Sequence, residues 1–404
     1  MYLFYKKLYQ YLFIHIIFKL VMHKQKITLD FSLFVLISII SCISLFNNAS
    51  SQQQSPFMVS TRDVIDNERG NESPAINTIF ENVPSLLDLN GNNCPGELAI
   101  YIHGIWATPE EAEEQTERVY LSLQGINYEV PVIGFSWSSD TEVSEIGWDL
   151  AKIIANKNGP LLAKFINGYK EICPNDEIRL VAHSLGSRVA LSAIQWLYEN
   201  SIADNSKKIK SVHLLGAAID DEQVSLIENQ CNENNPPLPC SGKAIYSEVQ
   251  SFYSLYNPED NMLSSEEIIY DPNPFYYNPF LPDEFTIVYP SPYQSTEKDN
   301  ALGSNEVKSK INEPLNYEEY NVLSKIINDN NADKKNGCDL KINLRHYNPW
   351  IWYDDYRCAI DEIGDNHFGY MGYRSSINPQ RVSDSGAIEC VVLDWKNEYN
   401  YCRE

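Results

Sequence analysis

The sequence predicts an α/β fold: a doubly wound, mainly parallel sheet, interrupted late in the chain by a long insertion. Short, continuously apolar runs alternate with segments of helical spacing from about residue 97 to 256. Strands buried on both faces read this way, and their alternation with helices implies crossovers between parallel neighbours. The alternation fails from about 264 to 345, where Pro, Tyr, Asn and Asp are dense. A structureless loop of that length is unusual in a compact domain, so a lid-like insertion with order of its own is expected. A hydrophobic fraction of 43% over 404 residues is enough for a large core.

Residues 1–50 read as an export signal or an N-terminal membrane anchor. Lys24 and Lys26 precede an apolar run at 31–46, and the small residues Ala49 and Ser51 follow it in a cleavage-site pattern. The run is short of the roughly 20 residues of a spanning helix, which favours a cleaved signal over membrane attachment through 31–46. Ile39-Ile40-Ser41-Cys42 has lipobox-like chemistry, although apolar residues continue beyond the Cys. An apolar patch before Met22, broken by His15 and Lys19, points to Met22 rather than Met1 as the start. Residues 51–90, rich in Ser, Gln, Asn, Asp and Glu, read as a polar linker, and 91–404 as the folded domain.

Within that domain a strand at 98–102 ends in His103-Gly104, and Thr108-Pro109-Glu110-Glu111 supplies an N-cap, a first-turn Pro and a capping-box Glu. Further strands are expected at 130–135, 178–182, 212–215 and 252–256, with helices at 149–169 and 189–198.

Lys plus Arg total 31 against 55 Asp plus Glu, and no basic stripe is visible, so nucleic acid is not an expected partner. Residues 1–50 hold five Lys and one Asp, which leaves about −28 on the remainder, a surface that repels acidic polymers and anionic lipids. Of nine Cys, eight lie beyond the signal, an even number that favours disulfides in an exported chain. Cys231 with Cys240 and Cys390 with Cys402 are natural local pairs. No Cys/His cluster has zinc spacing. Asp329, Asn331 and Asp333 alternate like calcium ligands, but Lys334 at the sixth position and the lack of a terminal Glu favour a solvated turn. No metal is expected.

The run Arg179-Leu-Val-Ala-His-Ser184-Leu-Gly-Ser-Arg-Val reads strand, sharp turn, helix. Such a turn needs small residues two before and two after the Ser, here Ala182 and Gly186, because the backbone folds too tightly for larger side chains. It lifts the Ser184 oxygen clear of the sheet and aims the Leu185 amide, at a helix N-terminus, toward a forming oxyanion. These residues resemble the α/β-hydrolase superfamily, with Ala182 in place of the usual first Gly of Gly-x-Ser-x-Gly. The stretch of His103-Gly104, Ser136-Trp-Ser138 and Ala182-His-Ser-Leu-Gly186 is most similar to poorly characterised esterase- and lipase-like members. Ser136, also between small residues after a strand, lacks an immediate helix start and reads as structural.

The resemblance implies a sheet of about eight strands, a second oxyanion donor at the Ile105 amide, Trp106 lining an acyl pocket, and the chain order Ser, acid, His. His367, in Gly364-Asp-Asn-His-Phe-Gly, is favoured as the base; His346, in the insertion, is the alternative. Asp260, after the strand ending near Tyr256, is favoured as the acid over Glu259, Asp220 and Asp221. The insertion then lies between acid and His. What is implied is a secreted or membrane-anchored serine hydrolase, its catalytic domain outside the cell, cleaving small-molecule or lipid carboxylic esters through an acyl-enzyme without a cofactor. A peptidase or amidase would use the same triad, and a non-catalytic surface binding protein on a hydrolase scaffold is the reading from another class.

Overall fold

The computed structural model describes residues 57–65, 94–141, 145–200, 208–228, 231, 239–258, 260, 262–263, 267–270, 287–290, 301–304, 306, 311–325, 367, 369–371, 373–374 and 382–403. All of them belong to one compact unit, Pro56–Glu404. The export or anchor segment, Cys42, Glu259, His346, Cys338, Cys358 and the calcium-like turn at 329–333 lie outside the described residues.

The elements in chain order are β1 (Phe57–Ser60), β2 (Glu97–Ile102), α1 (Pro109–Gly125), β3 (Val132–Ser136), α2 (Glu145–Ile172), β4 (Glu177–His183), α3 (Gly186–Asn200) and β5 (Ile209–Leu215). They continue with α4 (Gly242–Glu248), β6 (Val249–Tyr256), β7 (Glu267–Tyr270), β8 (Ile287–Pro290), β9 (Tyr317–Asn321), β10 (Tyr373–Arg374), β11 (Val382–Asp384) and α5 (Ile388–Trp395). Seven strands form one sheet in the order β1-β3-β2-β4-β5-β6-β9, and every neighbouring pair is parallel.

Both faces of the sheet are covered, and this is why its strands are apolar without interruption. Along β2, Leu98, Ile100 and Ile102 enter one core with residues of α2, α3 and α4, while Ala99 and Tyr101 enter a second with residues of α1 and α5. Strand β4 divides the same way, Ile178, Leu180 and Ala182 against Val181. The doubly wound architecture thus follows from a period-two split of continuously apolar strands.

Local chemistry sets the helices. Thr108 caps α1 through the Glu111 amide, and the Glu111 side chain returns to the Thr108 amide at 2.7 Å, completing the capping box. In α2, Pro160 has no N–H to give the carbonyl four residues earlier, at Asn156. The Ser192 hydroxyl of α3 donates to that carbonyl at 2.7 Å, and Arg188 Nε donates to the Asn156 side chain at 2.8 Å. The break in one helix becomes the contact that locks it to the next.

Two expectations require correction. Phe57–Ser60, inside the stretch read as a linker, is the edge strand of the sheet, paired with β3. Four residues at an edge have no long apolar run to reveal them. Tyr317–Asn321, inside the stretch read as an insertion, is the opposite edge, paired with β6. Its Tyr317 and Tyr320 are buried while Glu318 and Glu319 are half-buried, so it lacks the continuous apolar signature of a central strand. The described part of that stretch also includes the antiparallel pair β7 and β8.

Disulfides join Cys231 to Cys240, Cys390 to Cys402 and Cys94 to Cys173. The first two are the local pairs expected; the third ties the entry of β2 to the exit of α2. Among the described residues no helix is long and apolar enough to cross a membrane.

Candidate active site

Ser184 sits at φ +52°, a left-handed conformation rare for a residue with a side chain. Its amide donates to the Leu215 carbonyl at 3.0 Å, and its carbonyl accepts from Ser187 at 3.0 Å and Ala218 at 3.2 Å. The turn is held by β5 and by the start of α3, which together stabilise a backbone that would otherwise relax. Gly186 is required by proximity: a Cβ there would lie 2.5 Å from the His103 carbonyl oxygen and 2.6 Å from that of Ile102. A Cβ on Gly104 would lie 2.8 Å from Ser184 Cβ and 3.4 Å from its Oγ. The two glycines allow the end of β2 and the elbow to touch, which sets Ser184 Oγ beside Gly104.

That loop is built from its neighbours. His103 donates from Nδ1 to the Gly104 carbonyl at 2.8 Å and accepts at Nε2 from the Trp137 amide at 3.1 Å. One donor and one acceptor require the neutral ring, and burial, reinforced by the Arg62 charge, pushes His103 down to about 3. The Trp137 indole donates to the His103 carbonyl at 2.9 Å and stacks on its ring. Trp106, at φ +58°, donates its amide to the Ser139 carbonyl at 2.8 Å. Among the described residues neither the Ile105 nor the Leu185 amide donates a hydrogen bond to another group. Trp106 is half-buried, its ring 6.3 Å from that of Trp148.

His367 and Asp260 are 107 residues apart in sequence, and His367 Nδ1 donates to Asp260 Oδ2 at 2.7 Å. Both side chains are buried, at 4% and 0% exposed. Asp260 is held on the turn after β6: its Oδ1 accepts from the Met262 amide at 3.1 Å, and its carbonyl from Leu263 at 3.0 Å. Burial pushes His367 down to about 3 and the Asp260 carboxyl well above its usual range, the latter opposed by the Met262 and Leu263 amides and by Tyr370. Burial therefore favours the neutral ring of His367, the form able to accept a proton. Asp220 forms a bridge with Ala301 and Asp221 opens a short 3-10 turn; Asp260 is the carboxylate that meets His367.

Residues 88–270 match the sequence model of a family described as alpha/beta hydrolase of unknown function (DUF900). The matched segment contains β2 through β7, with Ser184 and Asp260. The chain has the α/β-hydrolase fold. The parallel, doubly wound sheet and the strained Ser184 turn after β4 are the features of that fold. Its main sheet has seven strands among the described residues, against the eight or so that the resemblance implies.

Solved structures similar to this chain include a Trichoderma reesei cutinase in complex with a phosphonate inhibitor, 19% identical, with 34% of this chain and 61% of the cutinase covered and a TM-score of 0.23. The catalytic core domain of an acetyl xylan esterase from Trichoderma reesei is 13% identical, with 41% and 85% covered and a TM-score of 0.26. Phospholipase PlaB from Legionella pneumophila is 10% identical, with 40% and 39% covered and a TM-score of 0.24. The chain thus spans about three fifths of the cutinase it matches. No curated protein matches the sequence.

Two residues of the site carried no functional signal in the sequence. His183 donates from Nε2 to the His367 carbonyl at 2.6 Å, although beside Ser184 it reads as a turn residue. Tyr370 directs its hydroxyl to Asp260 Oδ2 at 3.5 Å and packs on Gly216, where a Cβ would lie 2.9 Å from the ring. The spacing of Tyr370 three residues after His367 is the available clue, and it is a weak one.

Proposed function

We propose that this protein is a serine hydrolase that cleaves carboxylic esters through an acyl-enzyme on Ser184. The observation that carries the reading is the 2.7 Å hydrogen bond from His367 Nδ1 to Asp260, formed beside the strained elbow that presents Ser184. A proton on Nδ1 leaves Nε2 as the basic nitrogen.

In this reading Ser184 Oγ attacks the ester carbonyl carbon while His367 Nε2 takes the hydroxyl proton. The carbonyl oxygen becomes an oxyanion held by the Ile105 and Leu185 amides, and Asp260 stabilises the imidazolium. Collapse breaks the bond to the alcohol oxygen, which receives the proton from His367. Water then attacks the acyl-Ser184 ester with His367 again as base, releasing the acid and restoring Ser184. Trp106 lines the acyl side. Three disulfides support export to an oxidising compartment, and the strongly acidic chain favours neutral over anionic esters.

The test is labelling of the purified protein by a fluorophosphonate, alongside turnover of p-nitrophenyl esters of graded acyl length. Labelling and turnover in the native protein, both lost in Ser184→Ala and His367→Ala, are expected. A well-folded native protein that takes no label and turns over no ester would instead be a binding protein on a hydrolase scaffold.

A further inference from the structure

Arg62 lies outside the family match and just beyond the edge strand β1, yet its guanidinium is built into the wall behind the oxyanion loop. Nε donates to Ser136 Oγ at 2.7 Å, Nη1 to Asp140 Oδ1 at 2.9 Å, and Nη2 to the Ala107 carbonyl at 2.7 Å. The side chain is 12% exposed. Three acceptors, two on the segment leaving β3 and one in the loop after β2, are spanned by one planar, permanently charged group, a geometry that a lysine ammonium cannot reproduce.

Ala107 is two residues beyond Ile105, and between them stands Trp106 at φ +58°. A non-glycine residue in that region costs on the order of 1 kcal/mol and persists where its surroundings over-determine it. Here Ser139 takes the Trp106 amide at 2.8 Å, its hydroxyl takes the Ala107 amide at 3.1 Å, and the Ala107 carbonyl receives both Ser139 Oγ at 3.1 Å and Arg62 Nη2 at 2.7 Å. The backbone of Arg62 is held in turn by Ser138, whose hydroxyl donates to the Arg62 carbonyl at 3.1 Å and to that of Ile65 at 2.7 Å.

We propose that Arg62 is a positioning residue of the hydrolase site, fixing the Ala107 carbonyl and through it the direction of the Ile105 amide. This rests on the reading of Ser184 as the nucleophile and of Ile105 as an oxyanion donor. Arg62 touches no reacting atom. Its role is to hold a strained loop so that the Ile105 amide points at developing charge without reorganising during the reaction.

The neighbouring Thr61 provides the control. Its hydroxyl donates to the Ser136 carbonyl at 3.2 Å and to Asn158 Oδ1 at 2.5 Å, stapling the same strand without touching the loop. Ester turnover and fluorophosphonate labelling are compared in the native protein, Arg62→Ala, Arg62→Lys and Thr61→Val, well below each Tm. In both Arg62 variants kcat falls about 10- to 100-fold while KM stays within about twofold, and added methylguanidinium restores part of the loss in Arg62→Ala. Thr61→Val lowers Tm and leaves kcat at the native level. Arg62→Lys retains the charge, so it reads the same effect if Arg62→Ala does not fold. Native kcat in the Arg62 variants, or an equal loss in Thr61→Val, makes Arg62 a strand staple and overturns this proposal alone. A native protein without label or turnover overturns the serine-hydrolase reading and this proposal with it.

Discussion

His183 Nε2 donates to the main-chain carbonyl of His367 at 2.6 Å, and the two rings lie 4.8 Å apart. The residue that precedes the elbow serine therefore holds the backbone of the imidazole that faces Asp260. Burial lowers His183 to about 3, with the neighbouring His367 adding to the effect, so the ring is neutral and carries its proton on Nε2. Replacing it by Ala removes the tether while leaving Ser184 in place. His183→Ala is expected to lower kcat about 100-fold, and His183→Gln, whose amide can still donate, to recover part of that. Steady-state turnover of a p-nitrophenyl ester measures both.

Asp260→Asn retains the shape of the acid and removes its charge. The amide nitrogen introduced by this substitution would favour the wrong tautomer of His367, and kcat is expected to fall about 10⁴-fold with the Tm little changed. A loss below about tenfold would show that Asp260 does not orient the base.

Acid is expected to lower both activity and stability. His103, His183 and His367 are each depressed to about 3 by burial, from an ordinary value near 6.5. Between those values the unfolded chain binds the protons that the folded chain refuses, so stability is complete above about pH 6.5 and is lost as pH falls toward 3. Asp394, held down to about 2 by His213, Tyr320 and Asn400 against the opposing effect of burial, adds loss in the same direction below about pH 4. Asp260 is raised and acts oppositely, favouring the fold at low pH. The three histidines point in one direction, and Tm is expected to fall from about pH 7 to 4. A neutral His367 places the acid limb of kcat/KM below about pH 6.5.

Gly186→Ala would press a methyl group to 2.5 Å from the His103 carbonyl oxygen, which belongs to backbone that cannot move aside without shifting β2. Overpacking of this kind costs about 1–3 kcal/mol, read as a lower denaturant midpoint. Gly104→Ala would meet Ser184 Cβ at 2.8 Å and is expected to slow fluorophosphonate labelling more than it lowers Tm.

The Cys94–Cys173 disulfide closes a loop with a sequence separation of 79. Loss of that constraint in the double Ala variant is expected to cost about 2–5 kcal/mol, more than opening the shorter Cys231–Cys240 loop, whose separation is 9. Paired chemical denaturation curves test the order.

The Ser184 elbow was legible because a sharp strand-to-helix turn excludes all but small neighbours, and Ala182 and Gly186 declare that exclusion in the sequence. The central strands were legible because burial on both faces leaves an unbroken apolar run, as in β2 and β4. Edge strands leave no such mark. Phe57–Ser60 is four residues among polar ones, and Tyr317–Asn321 reads Tyr-Glu-Glu-Tyr-Asn; each becomes a strand because a neighbour offers unpaired backbone groups.

The sequence by itself determined the fold class, the turn at Ser184 and the loop at His103-Gly104, since all three depend on local periodicity or on which side chains a tight backbone tolerates. Tertiary structure decided that Asp260, rather than Asp220 or Asp221, meets His367, that His183 tethers His367, and that Arg62, just beyond an edge strand, reaches Ala107. Those contacts join residues 107, 184 and 45 positions apart. Contacts at such separations depend on how the sheet and its loops pack, and no local pattern records them.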